Sequence, residues 1–291
     1  IDLFFPSLLQ KRFFAWVGFF DGWLGGFGAR IAHAIDDQLF PAYSRIHDLG
    51  FLKAEEDEFV LLLGLLSTAQ HMIFPDVERF RRFLFFDRDV EVEERHAAMT
   101  LYEDVVKRQL FHAGVHKTFV SKNPMFSSKI LSLHERFPDA RFIHLLRSPM
   151  QTLPSTGSLL HHVWYASGAV PPGESATEML LEQVGYFSRY PREALSQVAP
   201  SQHIDLFFCD LTDDPIASVR DGMSHLDLPF TPQLEAVLAD RRGGSRHKSK
   251  HRYTTSDWGL SPELIETEFA DVIQRYGFDA PVVENSEHQV A

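Results

Sequence analysis

The chain has 291 residues, 44% of them hydrophobic and 23% charged, enough to bury a substantial core as one soluble domain. Its net charge of −12 argues against general binding to nucleic acid or to anionic membrane surfaces. The single cysteine, Cys209, excludes an internal disulfide framework and fits a reducing compartment such as the cytoplasm.

The segment from Leu3 to Gly28 is rich in phenylalanine. It is interrupted by Pro6, Gln10, Lys11, Arg12, Asp21 and glycines, so no run approaches the roughly 20 apolar residues of a membrane span. A core helix or the wall of a substrate cleft is the plain expectation, and an interfacial membrane helix is the alternative. Helices are expected from Leu8 to Phe20 and from Arg30 to Leu39. Glu55 to Asp57 place negative charge at the start of an apolar helix, Phe59 to Gln70, where the dipole favours it. Another helix runs from Glu93 to Phe111, with Ala97, Leu101, Val105 and Leu110 near helical spacing.

From Lys117 the pattern switches to alternating strand and helix. Thr118 to Ser121 is predicted as a short strand and Ser127 to Phe137 as a helix. Arg141 to Leu146 reads as a buried strand, followed by a helix from Pro149. Pro171-Pro-Gly173 marks a surface loop. A long amphipathic helix spans Glu174 to Ser196, and Ile204 to Cys209 is the third strand, which would bury Cys209. Helices near Pro215 to Leu226, Pro232 to Ala239 and Pro262 to Tyr276 follow. Such alternation implies parallel strands joined by helical crossovers, an α/β fold with a parallel sheet flanked by helices. Residues 1–280 form one domain, helical to about 115 and α/β from 116, with a frayed tail over 281–291.

The strand Arg141-Phe-Ile-His-Leu-Leu ends on Arg147, and Ser148-Pro149 suits the start of a helix, with Ser155 two turns in. In open α/β sheets ligands bind beyond the carboxyl ends of strands, and an arginine beside a helix N-terminus suits an anion. A salt bridge capping the strand is the plainer alternative for Arg147. A second candidate is Arg241-Arg-Gly-Gly-Ser-Arg-His-Lys-Ser-Lys-His-Arg252, where Arg246, Lys248, His251 and Arg252 lie in a glycine- and serine-rich run suited to closing over phosphate. A solvated basic run is its bland reading. Lys122 precedes Asn123-Pro124 at a strand's carboxyl end. It either serves the site or snorkels at the surface. His161, His162 and the other histidines lack partners at metal-ligand spacing, and no G-x-x-x-x-G-K-[ST] occurs.

Taken in order, Glu55-Glu-Asp-Glu-Phe59, Ser121-Lys-Asn-Pro-Met-Phe-Ser-Ser-Lys129, Phe137-Pro-Asp-Ala-Arg-Phe142, Arg147 with Ser155, Asp210-Leu-Thr-Asp-Asp-Pro215, Leu228-Pro-Phe-Thr-Pro232 and His251 to Pro262 resemble the sulfotransferases that use 3′-phosphoadenosine 5′-phosphosulfate (PAPS). The likeness is to their broad, mainly bacterial branch and covers roughly residues 40–278. It implies a P-loop-NTPase-like fold and transfer of a sulfuryl group from PAPS, as co-substrate, to a hydroxyl or amine, without a metal. It also implies that Arg147 and Ser155 hold the 3′-phosphate, that the 241–252 run is the late basic loop, and that Lys122 lies by the active site. The base is open among Glu55, Glu56 and His47, for each of which a helix-capping or solvated role is the alternative. The acceptor would be a small molecule, lipid or glycan, and Trp164, Tyr165 and Phe187 hint at an apolar one. The family's serine/glycine/threonine-rich 5′-phosphosulfate loop has no match, since Gly25-Gly-Phe-Gly28 lacks the hydroxyls and the lysine. Either that loop belongs to a segment upstream of Ile1, or the chain is a non-catalytic homologue that binds nucleotide phosphate.

Overall fold

The computed structural model describes residues 56–73, 77–114, 116–166, 173–243 and 258–278, together with 16, 19–23, 25–28 and 30. Helices dominate the first half. They are α1 (Glu58–Leu63), α2 (Gln70–Ile73), α3 (Val77–Leu84), α4 (Phe86–Asp89) and the long α5 (Val92–Ala113). The expected helix from Phe59 to Gln70 is broken: Gly64 ends α1, and Leu65 takes the left-handed φ of 56° that a continuing helix forbids. A 3₁₀ turn (Pro124–Ser128) leads into α6 (Ile130–Arg136), whose first N–H groups are capped by the Asp87 carboxylate from α4. The apolar faces of α1, α4, α5 and α6 meet in a cluster that includes Leu61, Phe86, Met99, Tyr102 and Leu133.

The α/β part begins with β1 (Phe142–Leu146), which pairs in parallel with β2 (His203–Phe207) in the register Phe142 opposite His203 through Leu146 opposite Phe207. Between them run α7 (Pro149–Ala166) and α8 (Gly173–Leu195), the crossover a parallel pair requires. Across the pair His144 Nδ1 lies 3.0 Å from Asp205 Oδ1, and that hydrogen bond holds the Asp205 carboxyl below its ordinary range. After β2 come α9 (Phe208–Asp213), α10 (Pro215–His225), α11 (Pro232–Gly243), α12 (Pro262–Glu268) and α13 (Ala270–Tyr276). A second core cluster joins α3, α7, α8, α12 and α13 around Leu153, Trp164, Leu180, Trp258 and Phe269.

Four further expectations are corrected. Residues 118–121 form no strand, because no neighbouring strand pairs with them among the described residues and Ser121 turns its hydroxyl to Asp57. Strand β2 stops at Phe207, so Cys209 lies exposed in the first turn of α9 rather than buried. Among the described residues strand β1 is covered on one face: Phe142 packs into the core, while Ile143 and Leu145 on the other face are 51% and 45% exposed. Helix α11 runs on to Gly243, so the first three residues of the basic run are helical. The helices expected over 8–20 and 30–39 and the tail after 280 lie largely or wholly outside the described residues.

Candidate active site

Three carboxylate and amide side chains set the local architecture. Asp57 and Glu58, at the start of α1, are buried. Asp57 accepts hydrogen bonds from the Tyr102 hydroxyl, from Ser121 Oγ at 2.9 Å and from Asn123 Nδ2 at 3.2 Å. Burial, reinforced by that carboxylate, pushes the Tyr102 phenol far above its usual range and keeps it a donor. Glu58 accepts from Ser67 Oγ at 2.6 Å, Asn123 Nδ2 at 3.1 Å and Lys129 Nζ at 3.2 Å. Lys129 is fully buried, and it also donates to the Met125 carbonyl at 3.0 Å and lies 5.2 Å from the Phe86 ring. Charges in such a place are tolerated only when paired and hydrogen-bonded, and here both conditions hold.

This network fixes two residues that do not belong to it. Backbone around Asn123 is extended (φ −150°, ψ 107°), so side chains alternate: Ser121 and Asn123 point inward to Asp57, and Lys122 points out. On the facing segment Asp57 and Glu58 point inward and Glu56 stays near the surface. The result is an ion pair between Lys122 Nζ and Glu56 Oε1, with Lys122 78% exposed. Two candidates 66 positions apart in sequence are thus brought into contact. The Asn123 side chain also accepts from Met125 N at 3.0 Å, which assigns it to orienting the turn.

Arg147 lies exposed at the carboxyl end of β1. Its Nε donates to Gln151 Oε1 at 3.2 Å, and its guanidinium sits 4.8 Å from the centroid of Phe208, the residue that follows β2. The ends of both strands therefore meet at this arginine, and among the described residues it makes no strand-capping salt bridge. Pro149 opens α7, and the Ser148 carbonyl accepts from Gln151 N and Thr152 N, both at 2.9 Å. Ser155 is half-buried in the second turn of α7. Two residues on, Gly157 lies against the Trp258 ring: a Cβ there would stand 2.9 Å from Trp258 Nε1. Thr177 Oγ1 holds the Trp258 carbonyl at 3.0 Å. The end of the segment that follows the basic run is thereby anchored beside the helix carrying Ser155.

Glu55, His47, Arg246, Lys248, His251 and Arg252 lie outside the described residues, as does the side chain of Tyr165. Trp164 is core, with its Nε1 donating to the His71 carbonyl at 2.8 Å, so it lines no acceptor cleft. No group of side chains suited to a metal occurs among the described residues. An open cleft of about 400 Å³ beside β2 is lined by Asp205, Asp210, Asp213, Asp214 and Asp221, of the wrong sign for a phosphate donor. Sequence reasoning missed Tyr102 and Lys129. Lys129 carried one signal: a cation immediately before an apolar helix, where the dipole disfavours it.

A model of the sulfotransferase family matches residues 56–232, from the Glu56 ion pair to the start of α11. The chain belongs to the sulfotransferase family. It is 28% identical over 246 residues to the omega-hydroxy-beta-dihydromenaquinone-9 sulfotransferases Stf3 of Mycobacterium bovis and Mycobacterium tuberculosis, covering 80% of this chain and 59% of theirs. It thus spans about three fifths of the length of these curated relatives. The crystal structure of sulfotransferase STF9 from Mycobacterium avium superposes with a TM-score of 0.62 over 77% of this sulfotransferase-family chain and 56% of that one, at 20% identity, which establishes the fold.

Proposed function

We propose that the protein transfers a sulfuryl group from PAPS to a hydroxyl (or amine) of a lipid-like acceptor and releases adenosine 3′,5′-bisphosphate. The observation that carries this reading is the Glu56–Lys122 pair. It sets a carboxylate able to take a proton beside an ammonium able to neutralise phosphate charge. Arg147, with Ser155 behind it, holds the 3′-phosphate of the donor. Arginine suits that task because its donors are forked and permanently charged. Arg246, Lys248, His251 and Arg252 complete the cradle from the basic run.

In the transfer, Glu56 accepts the proton of the acceptor hydroxyl as its oxygen bonds to sulfur. The bond from sulfur to the 5′-phosphate oxygen breaks, and the electron pair leaves with the phosphate. Lys122 leaves Glu56 for that oxygen, which frees the carboxylate to act as base. The lipid-like acceptor is supported by the menaquinone derivative in the relatives' name.

The test is transfer from sulfur-labelled PAPS to a panel of hydroxylated lipids, dihydromenaquinone derivatives included. Lys122→Ala and Glu56→Gln should each lower kcat by about 10²–10⁴-fold, with a smaller change in KM for PAPS. Undiminished kcat in both variants would remove these roles.

A further inference from the structure

Six arginines of this chain, Arg81, Arg82, Arg88, Arg136, Arg189 and Arg220, each pair with a carboxylate. Arg147 is held differently, although the chain is acidic and Asp210 stands only two positions beyond Phe208. Asp210 lines the cleft beside β2, and among the described residues no carboxylate lies within ion-pair distance of Arg147. Both groups that hold the guanidinium are uncharged. From α7, Gln151 Oε1 accepts from Nε at 3.2 Å, and at the start of α9 the centroid of the Phe208 ring lies 4.8 Å from the guanidinium carbon. Gln151 is exposed in the first turn of α7, its backbone N–H bound to the Ser148 carbonyl at 2.9 Å. Ser155 follows four positions later, on the same face of that helix.

We infer that Gln151 is a positioning residue for the donor's phosphate: its neutral carbonyl aims Arg147 without cancelling the charge that the phosphate needs. This rests on the reading, proposed above, that Arg147 holds the 3′-phosphate. With Nε engaged by Gln151 and one face against Phe208, the terminal nitrogens Nη1 and Nη2 keep their N–H groups for a ligand, since no acceptor among the described residues takes them. A free arginine side chain gives up much rotamer freedom when it binds, and holding it beforehand removes part of that cost. The choice of amide over acid matters as much. A glutamate at position 151 would fill the same space, but it would draw the guanidinium into a forked ion pair and occupy the charge-assisted donors. Glutamine supplies the acceptor without the charge.

The experiment is a calorimetric titration of adenosine 3′,5′-bisphosphate, at low and at raised salt, into the parent protein and four variants. These are Gln151→Leu, Gln151→Glu, Arg147→Ala and the double variant Arg147→Ala/Gln151→Leu. Both side chains are exposed, so the fold is kept, which circular dichroism checks. Gln151→Leu, which removes the acceptor, should bind about three- to tenfold more weakly. Gln151→Glu should bind at least about tenfold more weakly at low salt. Its deficit should shrink as salt screens the added charge, while that of Gln151→Leu persists. In the Arg147→Ala background the leucine substitution should cost nothing further, because no guanidinium is left to aim. Parental affinity of both Gln151 variants beside a weakened Arg147→Ala, or an equal loss from Gln151→Leu with and without Arg147, would overturn the inference and leave the donor site standing. Parental affinity of Arg147→Ala, or no binding by the parent, would overturn both.

Discussion

Two buried ionisable residues make the clearest claims at the scale of single side chains. Replacing Lys129 by methionine strands Glu58 as a buried carboxylate, and losing one partner of such a pair costs about 3–5 kcal/mol. Urea denaturation should show that loss for Lys129→Met, and the double variant Lys129→Met/Glu58→Gln should recover part of it. His71 is fully buried, its Nδ1 against the Thr68 carbonyl and its Nε2 without a partner among the described residues. Burial lowers its pKa from 6.5 to about 4, with the Thr68 contact opposing. The unfolded chain therefore binds a proton that the folded one refuses between those values. Stability is complete above pH 6.5 and falls by about 3 kcal/mol as pH drops to 4. Thermal melts across that window should slope less steeply for His71→Leu, and an identical slope would clear His71 of the effect. Lys122 and Arg147 were legible in the sequence because each stands at the edge of a patterned segment. Tyr102 and Lys129 were not, because their partners lie 45 and 71 positions away.

At the scale of elements, the parallel pair β1–β2 and its long crossover followed directly from periodicity, since an apolar run ending in Arg147-Ser-Pro has few other solutions. Errors gathered where local preference and tertiary partners disagree. Thr118-Phe-Val-Ser121 has strand composition, yet Ser121 is claimed by Asp57 and no strand pairs with it among the described residues. The apolar run Val60 to Leu66 reads as one helix, but Gly64 and Leu65 divide it. The approach of Trp258 to α7 rests on a missing side chain at Gly157, which composition cannot reveal. Gly157→Ala should force the indole aside, destabilise the protein by about 1–3 kcal/mol and weaken donor binding through the displaced basic segment. Calorimetric unfolding and ligand titration of that variant check both effects; unchanged values in each would show that Trp258 relaxes freely.

For the molecule as a whole, the proposed function would have an acidic protein bind a ligand with several phosphate charges. The aspartate-lined cleft beside β2 would repel such a ligand, which is why the proposal assigns its phosphates to Arg147 at the end of β1 and to the basic run 241–252 instead. The most direct measurement is a calorimetric titration of adenosine 3′,5′-bisphosphate into the parent protein and into Arg147→Ala. Charge-assisted hydrogen bonds of this kind contribute about 1.5–3 kcal/mol, so the variant should bind roughly 10- to 100-fold more weakly. Equal affinity of the two proteins, or no binding by the parent, would contradict a donor site at the carboxyl end of β1.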